Sequence, residues 1–297
     1  MTYWKKREQE WIQQQIKSEG AINRQIATKY QEALDQIEKE IKANWDNFAG
    51  KNGITIAEAK KATSEMDVKA YQCKAKRYVR EKNFSSNANR EMKLHNLTMR
   101  VNRLELLKSQ IGLELIALSD DIQKFTADIL TKAGLAEARR RAGIMNENIF
   151  SGYTKFVRQL ARASFHGATF SQRIWSNMTV LKAELDRLLT MSIIQGKHPN
   201  MMARQLRDLF NVKRYEAERL MRTETARIQL GVQLESYKQY GVKHYIYIAE
   251  PSACSVCAEL ADKVFAVVDF EIGTNAPPIH PNCKCSTAPH VKREEVY

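Results

Sequence analysis

Residues 94–129 read LHNLTMRVNRLELLKSQIGLELIALSDDIQKFTADI. Leu94, Leu97, Val101, Leu104, Ile111, Leu115, Leu118, Ile122, Phe125 and Ile129 fall on alternating a and d positions of a heptad, with Lys108 the one polar side chain in an a slot. A heptad sustained this long predicts a helix with an apolar seam, either a coiled coil or a long antiparallel helical hairpin. It places the chain in the mainly α class. The helix is expected to begin near Ala88, after the break Asn83–Asn89.

A second stripe lies upstream. Ile22, Ile26, Tyr30, Leu34, Ile37, Ile41, Trp45 and Phe48 recur at steps of three and four, which predicts one helix over residues 3–48. A helix with one apolar stripe must bury it. The expectation is therefore that helices 3–48 and 88–133 pack on each other within one chain; pairing between copies or with a partner is the alternative. Gly50 and Gly53 mark a loop, and Thr55 with Glu58 three residues on forms a capping box for a helix running to about Lys82. Downstream, Gly134 and Gly143 are expected to weaken the helix and to frame Arg139, Arg140 and Arg141. Those three read as a solvated face, with phosphate contact as the alternative.

The helical pattern continues over 144–166 and 169–194, stops at 195–200, and resumes as a short helix over about 200–210 and a longer one over 213–240, which Gly241 can end. Beyond Gly241 the character changes. Residues 243–249 (KHYIYIA) alternate and are rich in aromatic and β-branched side chains, and 264–268 (VFAVV) and 286–289 read as further short strands. The division along the chain is thus a long-helix interaction module over 1–142, a basic helical domain over 143–241 and a small α+β tail over 242–297.

Composition agrees with this class. Only 12 Gly and 6 Pro occur in 297 residues, too few turn residues for an all-β sandwich or barrel. No apolar run reaches the roughly 18 residues of a membrane helix, and the first residues lack the apolar core of a signal peptide; no membrane partner is expected. The net charge is +13, distributed as +7 over 1–150, +8 over 151–241 and −2 over 242–297. The basic excess is densest in the middle helices and points to polyanions. Arg158, Arg162, Arg173 and Arg204 are the candidates for non-specific contact with double-stranded DNA; solubility alone is the competing reading.

Four of the five cysteines fall in the tail, as Cys254-Ser-Val-Cys257 and His280-Pro-Asn-Cys283-Lys-Cys285. A C-x2-C turn aims two thiolates at one point, which suits tetrahedral zinc. His280 and Cys283 stand in H-x2-C, so the expected set is Cys254, Cys257, Cys283 and His280, with Cys285 as the substitute fourth ligand. A tail of about 55 residues has little core, and a structural zinc, one per chain, would supplement it. Disulfides are the next reading and reduced, metal-free thiols the third. A catalytic zinc lacks support: zinc deaminases pair H-x-E with P-C-x-x-C, and neither pattern occurs. No HExxH, GxSxG or Walker loop is present, so no catalytic residue is assigned, and a zinc-dependent hydrolase or nuclease acting on nucleic acid stands as the alternative function.

The residues also resemble a known family. The order Arg222-Thr-Glu224-Thr in a helix, Tyr237, Gly241-Val242, the strand Tyr245–Ile248, Cys254-x2-Cys257-Ala-Glu-Leu260, Phe265, then Pro277-Pro-Ile-His280-Pro-Asn-Cys283-Lys-Cys285 is similar to the phage Mu F-like minor head proteins, or phage head morphogenesis proteins, of tailed phages. The resemblance covers about residues 150–290. Two departures stand out: Ala261 or Asp262 replaces the usual Gly after Leu260, and Lys284 replaces the common Arg between the last two cysteines. The resemblance implies a low-copy structural head protein, not an enzyme. It would be assembled in the host cytoplasm and reside inside the virion at the portal vertex. The phage portal protein, and a scaffold or major capsid protein, would be its partners. Within this pattern Arg222 and Glu224 read as docking residues that fix the tail, since two positions apart on a helix they do not face each other.

Overall fold

A computed structural model describes residues 3–45, 65–82, 85–87, 103–144, 152–194 and 199–290. The expected loop at 50–53, the Thr55 capping box, the helix start near 88 with Leu94, Leu97 and Val101, and the stop at 195–198 lie outside the described residues. Seven helices are described: α1 (Tyr3–Trp45), α2 (Glu65–Lys82), α3 (Arg103–Ile144), α4 (Tyr153–Arg162), α5 (Phe170–Ile194), α6 (Pro199–Gln239) and α7 (Ser255–Leu260). Three strands, β1 (His244–Ile248), β2 (Val264–Ala266) and β3 (Ser286–His290), form an antiparallel sheet in the order β2-β1-β3. The protein is mainly helical with a small α+β end, as the sequence pattern predicts.

Two compact units are built from separated stretches of chain: residues 1–24, 125–170 and 216–297 make one, and 25–124 with 171–215 the other. These units cut across the three sequential segments expected from composition.

In the second unit α3 is its most buried element. Every residue from Ile111 to Asp120 is buried. A two-helix seam would leave half of such a stretch in water, so α3 here is a helix enclosed on all sides. Tyr71 and Ala75 of α2 pack on Leu106, Leu113, Ile116 and Ala117, with Tyr78 and Trp175 closing the cluster. The polar side chains caught in this burial are paired. Glu114 takes Lys74 at 2.9 Å and the Tyr78 hydroxyl at 2.9 Å, and Asp120 takes Lys124 at 2.7 Å. Lys108, half-buried, reaches Glu105 at 3.2 Å.

Three sequence expectations are corrected. Gly134 does not weaken α3. It lies mid-helix at a close approach, where an added Cβ would meet Val157 at 2.5 Å and Ile228 at 2.9 Å, so its missing side chain lets α4 and α6 close on α3. Arg140 and Arg141 are not a solvated face. Arg140 donates to Glu8 at 2.9 Å and to Glu137 at 2.7 Å, and Arg141 donates to Glu137 at 2.8 Å; both glutamates are buried. Only Arg139 is exposed. Finally, α6 is one helix from Pro199 to Gln239, with no interruption at Asn211–Val212. Neither residue is a breaker, and Leu206, Phe210 and Ala217 continue the buried side through them.

The sheet follows from the alternation in HYIYI. Ile246 and Ile248 take one face and pack, with Ala288, against Ile12 and Ile16 of α1. Tyr245 and Tyr247 take the other. Tyr245 stacks toward Tyr237, 6.4 Å between centroids, and bonds Asn275 Oδ1 at 2.8 Å. Gly241, at φ 65°, ends α6. The Val242 N–H bonds the Tyr237 carbonyl at 2.9 Å and the Gly241 N–H bonds that of Lys238 at 3.3 Å, a Schellman cap that turns the chain from helix into β1.

Candidate metal centre

Cys254 is the N-cap of α7, and its carbonyl accepts the Ala258 N–H at 2.8 Å. One helical turn brings Cys257 to the same side as Cys254. The opposing segment is a turn in which the Cys283 N–H bonds the His280 carbonyl at 3.1 Å and Asn282 takes φ 70°, a left-handed conformation that asparagine tolerates. Together they converge five donors. His280 Nε2 stands 3.1 Å from Cys254 Sγ and 3.3 Å from Cys257 Sγ, and Cys257 Sγ stands 3.7 Å from Cys283 Sγ. The donors form two overlapping sets of three, Cys254–Cys257–His280 and Cys257–Cys283–Cys285, with Cys257 common to both.

These groups could hold a metal ion. Tetrahedral zinc with Zn–S of about 2.3 Å and Zn–N of about 2.0 Å has ligand-to-ligand edges of roughly 3.5–3.8 Å, close to the distances found. Protonation fits as well. His280 Nδ1 lies 2.8 Å from the Pro281 carbonyl; a proton held there leaves the Nε2 lone pair facing the thiols. Hydrogen bonding from Cys285 and backbone N–H groups brings the Cys283 thiol down, toward the thiolate form that a metal takes. Burial pushes Cys257 up to about 12, and the hydrogen bond with Cys283, together with burial, pushes Cys285 up too. A bound cation is what would draw those last protons away.

The tail's attachment is also built from sequence-selected residues. Arg222 donates to the Asn282 side chain and to Glu19 at 2.9 Å, and Thr223 Oγ accepts the Asn282 N–H at 3.2 Å. Glu224 does not reach the tail. It is buried and accepts from Arg227 at 2.8 Å, while Arg227 donates twice to the Leu160 carbonyl at 3.0 Å. Asp262, one of the two residues that stand where the resemblance expects glycine, takes φ 64°, and its carboxylate meets Lys5. The turn keeps its left-handed residue without glycine.

Residues 183–288 match the model of the family described as Phage Mu protein F like protein. The chain carries a Mu F-like region. No curated protein and no solved structure matches the chain. The Mu F-like region contains the Arg222-Thr-Glu224 helix, all four tail cysteines and His280, and supports a phage head morphogenesis protein, a family that is generally structural.

The four basic candidates are divided between the two units. Arg158 and Arg162 are exposed one turn apart on α4, in the first unit. Arg173 is half-buried on α5, and Arg204 is exposed on α6 beside Asp208 at 4.0 Å, both in the second unit. Among the described residues no helix is long and apolar enough to cross a membrane. Sequence reasoning missed Tyr247, Asn282 and Glu19. For Tyr247 the available signal was its place two residues after Tyr245 in an alternating strand that precedes the C-x2-C.

Proposed function

We propose that this protein is a minor head protein of a tailed phage, located in the virion at the portal vertex, and that one structural zinc per chain holds its C-terminal region together. The observation that carries the proposal is the Mu F-like match over 183–288 together with the convergence, inside it, of Cys254, Cys257, His280, Cys283 and Cys285. Zinc there would pin α7 to the His280–Cys285 turn, and Arg222 and Thr223 tie that turn to α6. Metal binding would then be folding free energy for a region with little core of its own. The test of location is mass spectrometry of purified virions with a pull-down on the portal protein. A chain absent from virions and not retained by portal ends the proposal.

The exposed pair Arg158 and Arg162 favours a DNA-facing role for α4, since side chains four apart share one helix face. Contacts of that kind lose affinity with salt, by about 0.9 in log–log slope for each phosphate neutralised. Duplex binding that is absent at low salt, or equal at low and high salt, rejects this part.

A further inference from the structure

Three tyrosines are fully or almost fully buried where the tail meets the helices of its unit: Tyr237, Tyr245 and Tyr247. Two have ordinary oxygen partners. Tyr237 shares a hydrogen bond with Thr287 at 3.0 Å, and Tyr245 bonds Asn275 at 2.8 Å. Tyr247 has none, although its side chain is completely removed from solvent. Its neighbours are Cys257, Cys283 and Cys285, closed over by Ala249, Leu260 and Phe265. Buried hydroxyls are nearly always paired, and a phenylalanine would fill the same apolar space without a polar group to satisfy. A neutral thiol is a weak acceptor; a thiolate is a strong one. The phenol makes chemical sense when the sulfurs around it are thiolates.

We infer that Tyr247 is a positioning residue of the metal centre, donating its O–H to a cysteine thiolate of the Cys257–Cys283–Cys285 set. The inference rests on the reading that this cluster holds zinc. A hydrogen bond to a ligating thiolate withdraws charge from the sulfur and orients it, which is how groups outside the ligand shell tune metal affinity. It also selects among the sulfurs: Tyr247 packs with Cys257, Cys283 and Cys285, not with exposed Cys254.

The test uses the full chain, loaded with cobalt(II) in place of zinc, as wild type, Tyr247→Phe and Tyr245→Phe. Wild type is expected to take about one cobalt per chain with a thiolate-to-cobalt charge-transfer band. Tyr247→Phe should keep the stoichiometry, move that band to lower energy and release zinc to a chelator about 10–100-fold faster. Tyr245→Phe removes a buried phenol of the same strand; it should lower the melting temperature and leave the band in place. Equal bands and equal release rates for wild type and Tyr247→Phe overturn the inference, as does an equal band shift from Tyr245→Phe. A wild type that takes no cobalt overturns the zinc reading itself, a distinct result. Should Tyr247→Phe not fold, NMR of the cadmium-loaded wild type decides. A slowly exchanging, downfield phenol proton supports the bond to sulfur, and its absence refutes it.

Discussion

Arg222 donates a hydrogen bond to the side-chain oxygen of Asn282, the residue just before Cys283. With its Nε it also holds Glu19 at 2.9 Å. One guanidinium thus ties the His280–Cys285 turn to α6 and to α1, and the neighbouring Thr223 takes the Asn282 N–H. Arginine suits the place because its rigid fork donates in two directions at once.

Arg222→Met keeps most of the apolar stem and removes both bonds. Stability should fall by about 1.5–3 kcal/mol, the range for hydrogen bonds to charged groups, read as a lower urea midpoint with unchanged slope. Arg222→Lys should recover less than half of that loss. Full recovery by lysine would mean that charge alone matters here.

The Glu8, Glu137, Arg140 and Arg141 cluster predicts a pH response. Burial alone pushes the Glu137 carboxyl up, but the Arg141 and Arg140 guanidiniums outweigh it and hold the group below the ordinary glutamate range. A carboxyl depressed in the folded state contributes its full stabilisation above the unfolded value, about 4.3, and loses it as pH falls through the folded one. Glu137→Gln should cost about 3–5 kcal/mol at pH 7, because it leaves buried arginines under-neutralised. Its stability profile below pH 5 should be flatter than that of wild type; parallel profiles would show that Glu137 does not carry the acid response.

Gly134 and Gly143 lie on the same helix, and substitution by alanine should have opposite signs. At Gly134 the new methyl meets Val157 and Ile228, and overpacking of this kind costs about 1–3 kcal/mol. At Gly143 it meets nothing within 4 Å, so only the helix-propensity gain remains, about 0.5–1 kcal/mol. Adding Val157→Ala to Gly134→Ala should restore much of the loss. Independent effects in that double-mutant cycle would contradict the close approach.

Cys257 belongs to both sets of three donors. Cys257→Ser should therefore abolish zinc and leave the tail unfolded at neutral pH, while Cys73→Ser, on the exposed surface of α2, should change neither zinc content nor melting temperature. Removal of about 10 kcal/mol or more of binding free energy is at stake in such a site. Comparing His280→Asn with Cys285→Ser identifies the fourth ligand as the residue whose loss releases the metal. Zinc retained in Cys257→Ser would exclude both sets.

Much of the helical frame was legible because side-chain period is a local property. The stripes in α1 and α3, the Gly241 stop and the three short strands all depend on neighbours within a few residues. The cysteine–histidine cluster was legible for a different reason: four thiols and a histidine within 32 residues are too concentrated to be incidental. Where reading by period failed, the deciding partner was far away in the chain. Gly134 looked like a weak point because propensity counts only the helix itself, whereas Val157 and Ile228 make it a contact surface.

By itself, then, the sequence determined the class of fold, the order of elements, the donor set and the Mu F-like pattern, since each is written in spacing along the chain. Tertiary structure alone decided that Arg140 and Arg141 are buried against Glu8, more than 130 positions away, that Glu224 serves Arg227 while Arg222 serves the tail, and that Tyr247 is left facing thiols. The physical reason is common to all three. Whether a charge or hydroxyl is solvated or paired depends on what folding brings within about 3 Å of it, and a one-dimensional pattern carries hydrophobic period but not the identity of a distant hydrogen-bond partner.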